Sequence, residues 1–217
     1  MKNLLYKELH LSTPLLTFLF LAFSLMTFIP GYPILCGAFF ICFGIFQSYQ
    51  FGREDNDILY TVLLPVKKSD AVGAKFASAA LLQMVSFFFF TVFTLIRMSF
   101  LSQAVAYKNN ALMGANFTFL AFVLLIFASF NVIFIGGFFK TAYKIGKPFI
   151  AFITVSFVII AAAETLHHLP TLSWTNTLDF SDSAKQIPIL AISAIIYALS
   201  SAISCGYAKK RFEKIDM

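Results

Sequence analysis

The sequence predicts an all-α polytopic membrane protein: six transmembrane helices, an N-terminal interfacial helix and a short amphipathic helix on the cytoplasmic face. Three observations lead there. Of 217 residues, 59% are hydrophobic and only 12% charged, about half the charge of an ordinary soluble domain. The apolar residues fall into runs long enough to cross a bilayer, and the basic residues gather between alternate runs.

In chain order, residues 1–10 place Met1, Leu5 and Leu9 on one helical face and Asn3, Lys7 and His10 on another, the pattern of a helix lying at the membrane surface. Leu11–Gly52 then contains no Asp, Glu, Lys or Arg. That is about twice the roughly 20 residues one span needs, so it reads as a helical hairpin with spans near 11–30 and 33–52. Its turn belongs at Pro30-Gly31-Tyr32-Pro33, where proline removes backbone donors and glycine relaxes the dihedral limits. The first run is too long, and too promptly followed by a second, for a cleaved signal peptide. Further spans are expected near 76–96, 117–139, 148–169 and 187–207, making residues 1–217 a single transmembrane domain.

Lys2 and Lys7 precede span one; Arg53, Lys67, Lys68 and Lys75 lie between spans two and three. Lys140, Lys144 and Lys147 lie between spans four and five, and Lys209, Lys210, Arg211 and Lys214 follow span six. Thirteen of the sixteen basic residues thus share one face. Basic loops stay in the cytoplasm, so both termini are expected inside a multi-pass protein of the cell membrane. The net charge of +6 sits beside helix ends, where anionic lipid headgroups lie. No basic fold stands outside the membrane to bind nucleic acid. Cys36, Cys42 and Cys205 fall inside spans without metal-ligand spacing and read as apolar fillers.

Between spans two and three runs Arg53-Glu54-Asp55-Asn56-Asp57-Ile58-Leu59-Tyr60-Thr61-Val62-Leu63-Leu64-Pro65. Asp55, Asn56 or Asp57 can cap a helix, and Ile58/Val62 with Leu59/Leu63 form i,i+4 apolar pairs. Pro65 ends that helix; Lys67 and Lys68 suit a lipid surface, and Ser69 or Asp70 starts span three. Local physics alone leaves this helix as either a docking element or a mere anchor.

Within the spans, Gln47, Gln83 and Asn131 are neutral groups suited to hydrogen bonding between helices. The abundant phenylalanines, Phe87-Phe88-Phe89-Phe90 among them, read as packing and lipid-facing residues. Ala194, Ala198, Ala202 and Gly206 recur every four residues on span six, a small-residue stripe for close helix approach. The preferred partner is another helix of the same chain; a second protomer is the alternative. Trp174 suits an interfacial anchor, with Asp179, Asp182 and Lys185 in water.

Glu164, His167 and His168 form the one cluster of titratable groups within an expected span. The order Glu-x-x-His-His is neither the zinc-protease motif nor a carboxylate pair, so no metal site is assigned. Because charge at mid-membrane costs at least about 2.5 kcal/mol, the helix is expected to end or bend there, leaving these groups in water or at an outer gate. An intramembrane hydrolase built on the same three residues is an alternative function, and a non-enzymatic scaffold or immunity protein is another.

The basic amphipathic start, the hydrophobic hairpin, then Glu54-Asp55-Asn56-Asp57, Leu64-Pro65-Val66-Lys67-Lys68-Ser69-Asp70 and Lys75-Phe76 together resemble a small type-2 permease of ATP-binding-cassette exporters. Similar permeases in Gram-positive bacteria export peptide toxins or confer antimicrobial-peptide resistance. The resemblance implies that Glu54, Asp55, Asp57, Ile58, Leu59, Tyr60, Val62, Leu63 and Pro65 belong to a coupling helix docking on an ATPase. It also implies a second permease protomer, in a homodimer or heterodimer. With no Gly-x-x-x-x-Gly-Lys-Ser/Thr phosphate loop in the chain, ATP and Mg are expected on a separate cytoplasmic ATPase subunit, with no cofactor on this one. A hydrophobic or amphipathic peptide is the first expected cargo and lipid the second, since the spans show no charged pocket.

Overall fold

A computed structural model describes residues 2–141 and 144–215. Met1, expected on the apolar face of the first helix, lies outside the described residues. The described residues form helices joined by short turns, with no strand. In order they are α1 (Lys2–Lys7), α2 (Leu15–Phe20), α3 (Cys36–Glu54), α4 (Asp57–Leu63), α5 (Lys68–Phe100), α6 (Val105–Lys108), α7 (Phe117–Ser129), α8 (Gly136–Thr141), α9 (Gly146–Leu166) and α10 (Ser183–Phe212). A π-turn, Phe130–Ile135, joins α7 to α8 without a break, and 3₁₀ segments occupy Leu21–Phe28 and Pro170–Asn176.

Four helical stretches are long and apolar enough to cross a membrane: Lys68–Phe100, Phe117–Thr141, Gly146–Leu166 and Ser183–Phe212. They fall on the last four expected spans. The first expected span behaves differently, because Lys2–Ser12 meets Leu15–Phe28 at a 90° bend at Thr13-Pro14. Pro14 supplies no N–H and disfavours helix at the residue before it; Thr13 accordingly adopts extended angles. Beyond the bend, α2 and the stretched 3₁₀ segment together rise about 25 Å. They count as a fifth span if the bent pair is taken as one.

The chain then reverses at Pro30–Pro33, where Gly31 adopts φ +73°, as the turn residues predict. Helix α3 returns from it with an apolar first half. Its second half carries Gln47, Gln50, Arg53 and Glu54, so on hydropathy it is not among the spanning helices. Thr17 Oγ1 donates to the Gly44 carbonyl at 2.8 Å and ties the two arms of the hairpin.

Aromatic packing fills the centre. Phe134, fully buried, meets the rings of Phe46, Tyr49 and Phe149 edge-on, and Phe46 stacks on Phe149 at 3.8 Å. Edge-to-face pairs of this kind add about 0.5–1.5 kcal/mol each beyond burial. In the 87–90 run, Phe90 is fully buried while Phe88 faces outward.

At mid-bundle Gln83 and Asn131, both buried, exchange two amide hydrogen bonds of 3.0 and 2.9 Å. Tyr197 donates to Gln83 Oε1 at 2.9 Å, and Asn131 Nδ2 donates to Ser201 Oγ at 2.9 Å. The Asn131 carbonyl, which takes the Gly136 N–H in the π-turn, also accepts from Ser204 Oγ at 3.0 Å. A Cβ on Gly136 would come within 2.6 Å of that hydroxyl, so glycine is what lets α8 approach α10 here.

The small-residue stripe does not make this contact. Ala194, Ala198, Ala202 and Gly206 are all exposed, and a Cβ on Gly206 would meet nothing within 4 Å. The expected contact within the chain is therefore corrected: α10 packs through Ser193, Tyr197, Ser204, Ala208 and Phe212, and the Tyr197 and Ser204 hydroxyls find buried partners.

Candidate functional site at the basic end of the bundle

The N-terminal helix, the end of α10, α4 and the start of α5 meet at one end of the bundle. Helix α4 begins after Asn56, which holds the left-handed conformation (φ 52°, ψ 30°) that asparagine tolerates better than most residues. The expected side-chain cap is absent here: no side-chain hydrogen bond caps α4. The helix stops at Leu63, and Leu64 takes extended angles (φ −74°, ψ 157°), as a residue before proline must. Helix α5 restarts at Lys68, with Lys67 outside it.

Asp57 has another task. Its carboxylate binds Lys7 from the N-terminal segment and Lys75 from α5, the latter at 2.9 Å. Lys75 also holds Glu8 at 2.8 Å, and Lys7 reaches Glu8 at 3.1 Å. Lys7 further donates to Thr61 Oγ1 at 2.7 Å, while Thr61 itself donates to the Asp57 carbonyl at 2.7 Å. Two cations and two anions thus close a ring through three chain segments. Glu8 and Lys75 are only 4% and 7% exposed, a burial that charged groups tolerate only when paired. Burial pushes the Asp57 carboxyl up, but the Lys75 charge and hydrogen bonds from Lys7 and Lys75 outweigh it, leaving its pKa below the ordinary value.

Because Glu8 is drawn to Lys75, the buried face of the first helix is Leu4, Glu8 and Ser12, one position off the expected Leu5 and Leu9. Lys7 and Lys75, counted by sequence among the lipid-facing cations, are instead occupied inside the protein. Phe212 of α10 packs edge-on against Phe139 at 5.4 Å, and Lys68 Nζ donates to the Ile215 carbonyl at 2.8 Å. The C-terminal turn therefore backs the same junction.

With Ile58 and Thr61 turned inward, α4 presents its other side outward. Leu59 is 37% exposed, Tyr60 65% and Leu63 74%. Leu64 and Pro65 continue this surface, Val62 is half-buried, and Glu54 and Asp55 stand beside it in solvent. The expected pairs are thus divided between faces. Ile58 anchors, whereas Leu59 and Leu63 are displayed.

At the far end, Glu164 Oε2 accepts from the Met113 N–H at 2.7 Å, and His167 Nε2 lies 3.0 Å from the Ala111 carbonyl. The two side chains hold the loop before α7, and the His168 ring packs on that of His167 at 4.1 Å between centroids. Among the described residues no three His, Cys, Asp or Glu side chains gather as a metal set.

Sequence reasoning missed several organisers of the structure. Glu8 is the one acid before residue 54, a signal for an unmet buried cation that went unread. Asn116 caps α7 through the Phe119 N–H at 2.9 Å and donates to the Thr175 and Thr177 carbonyls. Gln186 bonds the Trp174 carbonyl, Thr177 Oγ1 and the Phe117 N–H. The signal for Asn116 was its place just before an apolar run. Arg97, in the last turn of α5, is 2% exposed. It donates to the Thr27 carbonyl at 2.6 Å and lies 4.0 Å from the centre of the Tyr107 ring.

The fold and site define a helical multi-pass membrane protein with an apolar-faced surface helix clamped at one end of its bundle. Comparison with protein families makes this specific: the chain matches the ABC-2 family transporter protein family over residues 3–209. It belongs to that family, as the membrane-spanning permease subunit of a transporter and not its ATPase. No curated protein and no solved structure matches the chain.

Proposed function

We propose that this chain is the membrane subunit of an ATP-driven exporter, worked from the cytoplasm by a separate ATPase chain that carries ATP and Mg. The observation that carries the reading is the division of α4 into two faces. Asp57, Ile58 and Thr61 fasten it to α5 and the N-terminal helix, while Leu59, Tyr60 and Leu63 stand exposed beside Glu54 and Asp55. A helix fastened behind and apolar in front passes a push from a docked partner to the bundle as a rigid body.

In this reading the basic end faces the cytoplasm of a cell-membrane protein, as basic segments do. Leu15–Phe28 and α3 cross beside the four long helices, making six crossings, and two protomers, identical or different, complete the pathway. ATP binding closes the ATPases and shifts α4 toward an outward-open state. Near-complete switching needs about 5.5 kcal/mol of differential binding. The cargo is a hydrophobic or amphipathic peptide, or a lipid, because the polar groups at the bundle centre are neutral amides and hydroxyls set among phenylalanines. Glu164, His167 and His168 order the outer loop beside the exit.

Purification from native membranes tests this. The wild-type chain brings down a partner with a phosphate-loop signature, and Leu59→Arg with Leu63→Arg loses it while the bundle keeps its unfolding midpoint. Undiminished recovery of the ATPase with that variant would defeat the docking assignment.

A further inference from the structure

A groove of about 500 Å³ opens on the outside of the bundle between the π-turn with α8 and the C-terminal half of α10. Its walls include Val132 and Ile203, Gly136 and Gly137 line it without side chains, and Tyr207 and Arg211 stand at its basic end. Ser204 Oγ, also in the wall, is already engaged with the Asn131 carbonyl. The surface offered is therefore mainly hydrocarbon.

From Ser200 to Arg211 the groove runs about 16 Å along α10, close to half of the roughly 30 Å hydrocarbon core. It is one leaflet deep. Among the described residues no carboxylate pairs with Arg211. Tyr207, one turn away, is 62% exposed on the same side, at the level where phenols meet the membrane interface. An apolar channel of leaflet length with the Arg211 guanidinium at its mouth is complementary to an acyl chain bearing an anionic head.

We propose that this groove binds one anionic phospholipid of the leaflet at the basic end, its acyl chain against Val132 and Ile203 and its phosphate on Arg211 and Tyr207. The site rests on the chain lying in a bilayer and not on its coupling to an ATPase. The α4 variants described above leave it intact, so the two readings fail separately.

The test is native mass spectrometry of the full chain released from nanodiscs holding equal phosphatidylglycerol and phosphatidylcholine. Wild type retains phosphatidylglycerol in preference. Arg211→Gln lowers that retention about fivefold, the worth of one basic residue at an anionic surface, whereas Lys210→Gln, its exposed neighbour, leaves it unchanged. Ile203→Trp fills the groove and removes both lipids; Val132→Phe serves if that variant does not fold. Equal losses from Arg211→Gln and Lys210→Gln, or no loss from Arg211→Gln, overturn the site in favour of a diffuse basic surface. If Ile203→Trp dissolves a dimer while lipid retention is unchanged, the occupant is a second copy of the chain and the lipid assignment falls.

Discussion

The two ends of this bundle are held together by different chemistry. At the basic end Lys7, Glu8, Asp57 and Lys75 form a ring of charges across three chain segments. At the far end Asn116 and Gln186, neutral and fully buried, lace α7 to the 174–177 segment and the start of α10. These amides satisfy their partners without a large desolvation cost, and a buried cation at the same end, Arg97, is met by the Thr27 carbonyl and the Tyr107 ring rather than by a carboxylate. Buried charges are stable only while every member is paired, and a shift of one helix unsettles all four. The difference makes the junction beside α4 the one that a single lost charge partner disturbs most.

The strongest way to break the contrast is Lys75→Met. It leaves Glu8 and Asp57 to share Lys7, and a loss of about 3–5 kcal/mol is expected in denaturant unfolding of the purified chain. Replacing Glu8 and Lys75 together by Met keeps the Lys7–Asp57 pair and should recover most of that loss. If the double variant is as unstable as the single, packing rather than pairing governs the junction.

Acid comes next. The Asp57 pKa is depressed in the folded chain, so its contribution is present above the ordinary carboxylate range near pH 4 and is lost as pH falls through the lower folded value. Protease cleavage within residues 2–12 should rise in that window and stay flat in Asp57→Asn. The far end provides the matching control. Asn116→Ala removes a cap and two further bonds and should cost about 1–3 kcal/mol, equally at neutral and acidic pH. Smaller again, Gln83→Leu should cost about 0.6–2 kcal/mol. Ala198→Leu should leave the stability of a single chain unchanged, since that residue faces outward; a fall in assembly alone would assign the stripe to a second protomer.

Much of the architecture could be read without coordinates. Charge-free runs, the Pro30–Pro33 reversal and Pro65 are local signals, because a proline or a run of apolar residues constrains its own segment whatever surrounds it. The last four membrane helices, the turn after Leu15–Phe28 and the break between α4 and α5 follow from them. The site was only half visible. Position and periodicity marked residues 53–65, but the partner of Asp57 sits eighteen residues away in Lys75 and its other partner at Lys7. Nothing in a one-dimensional pattern pairs charges at such distances.

By itself, then, the sequence determined that this chain lives in a bilayer, which segments are helical and where its basic residues cluster, since hydropathy, charge and backbone stereochemistry act locally. Tertiary structure alone decided which face of each helix is inward. It turned Glu8 in and Leu5 partly away, spent the hydroxyl face of α10 on Asn131 and Gln83, and left Ala194, Ala198, Ala202 and Gly206 outside. In an apolar solvent hydrophobicity no longer separates inside from outside. The choice passes to hydrogen bonds and ion pairs, whose partners only the folded chain brings together.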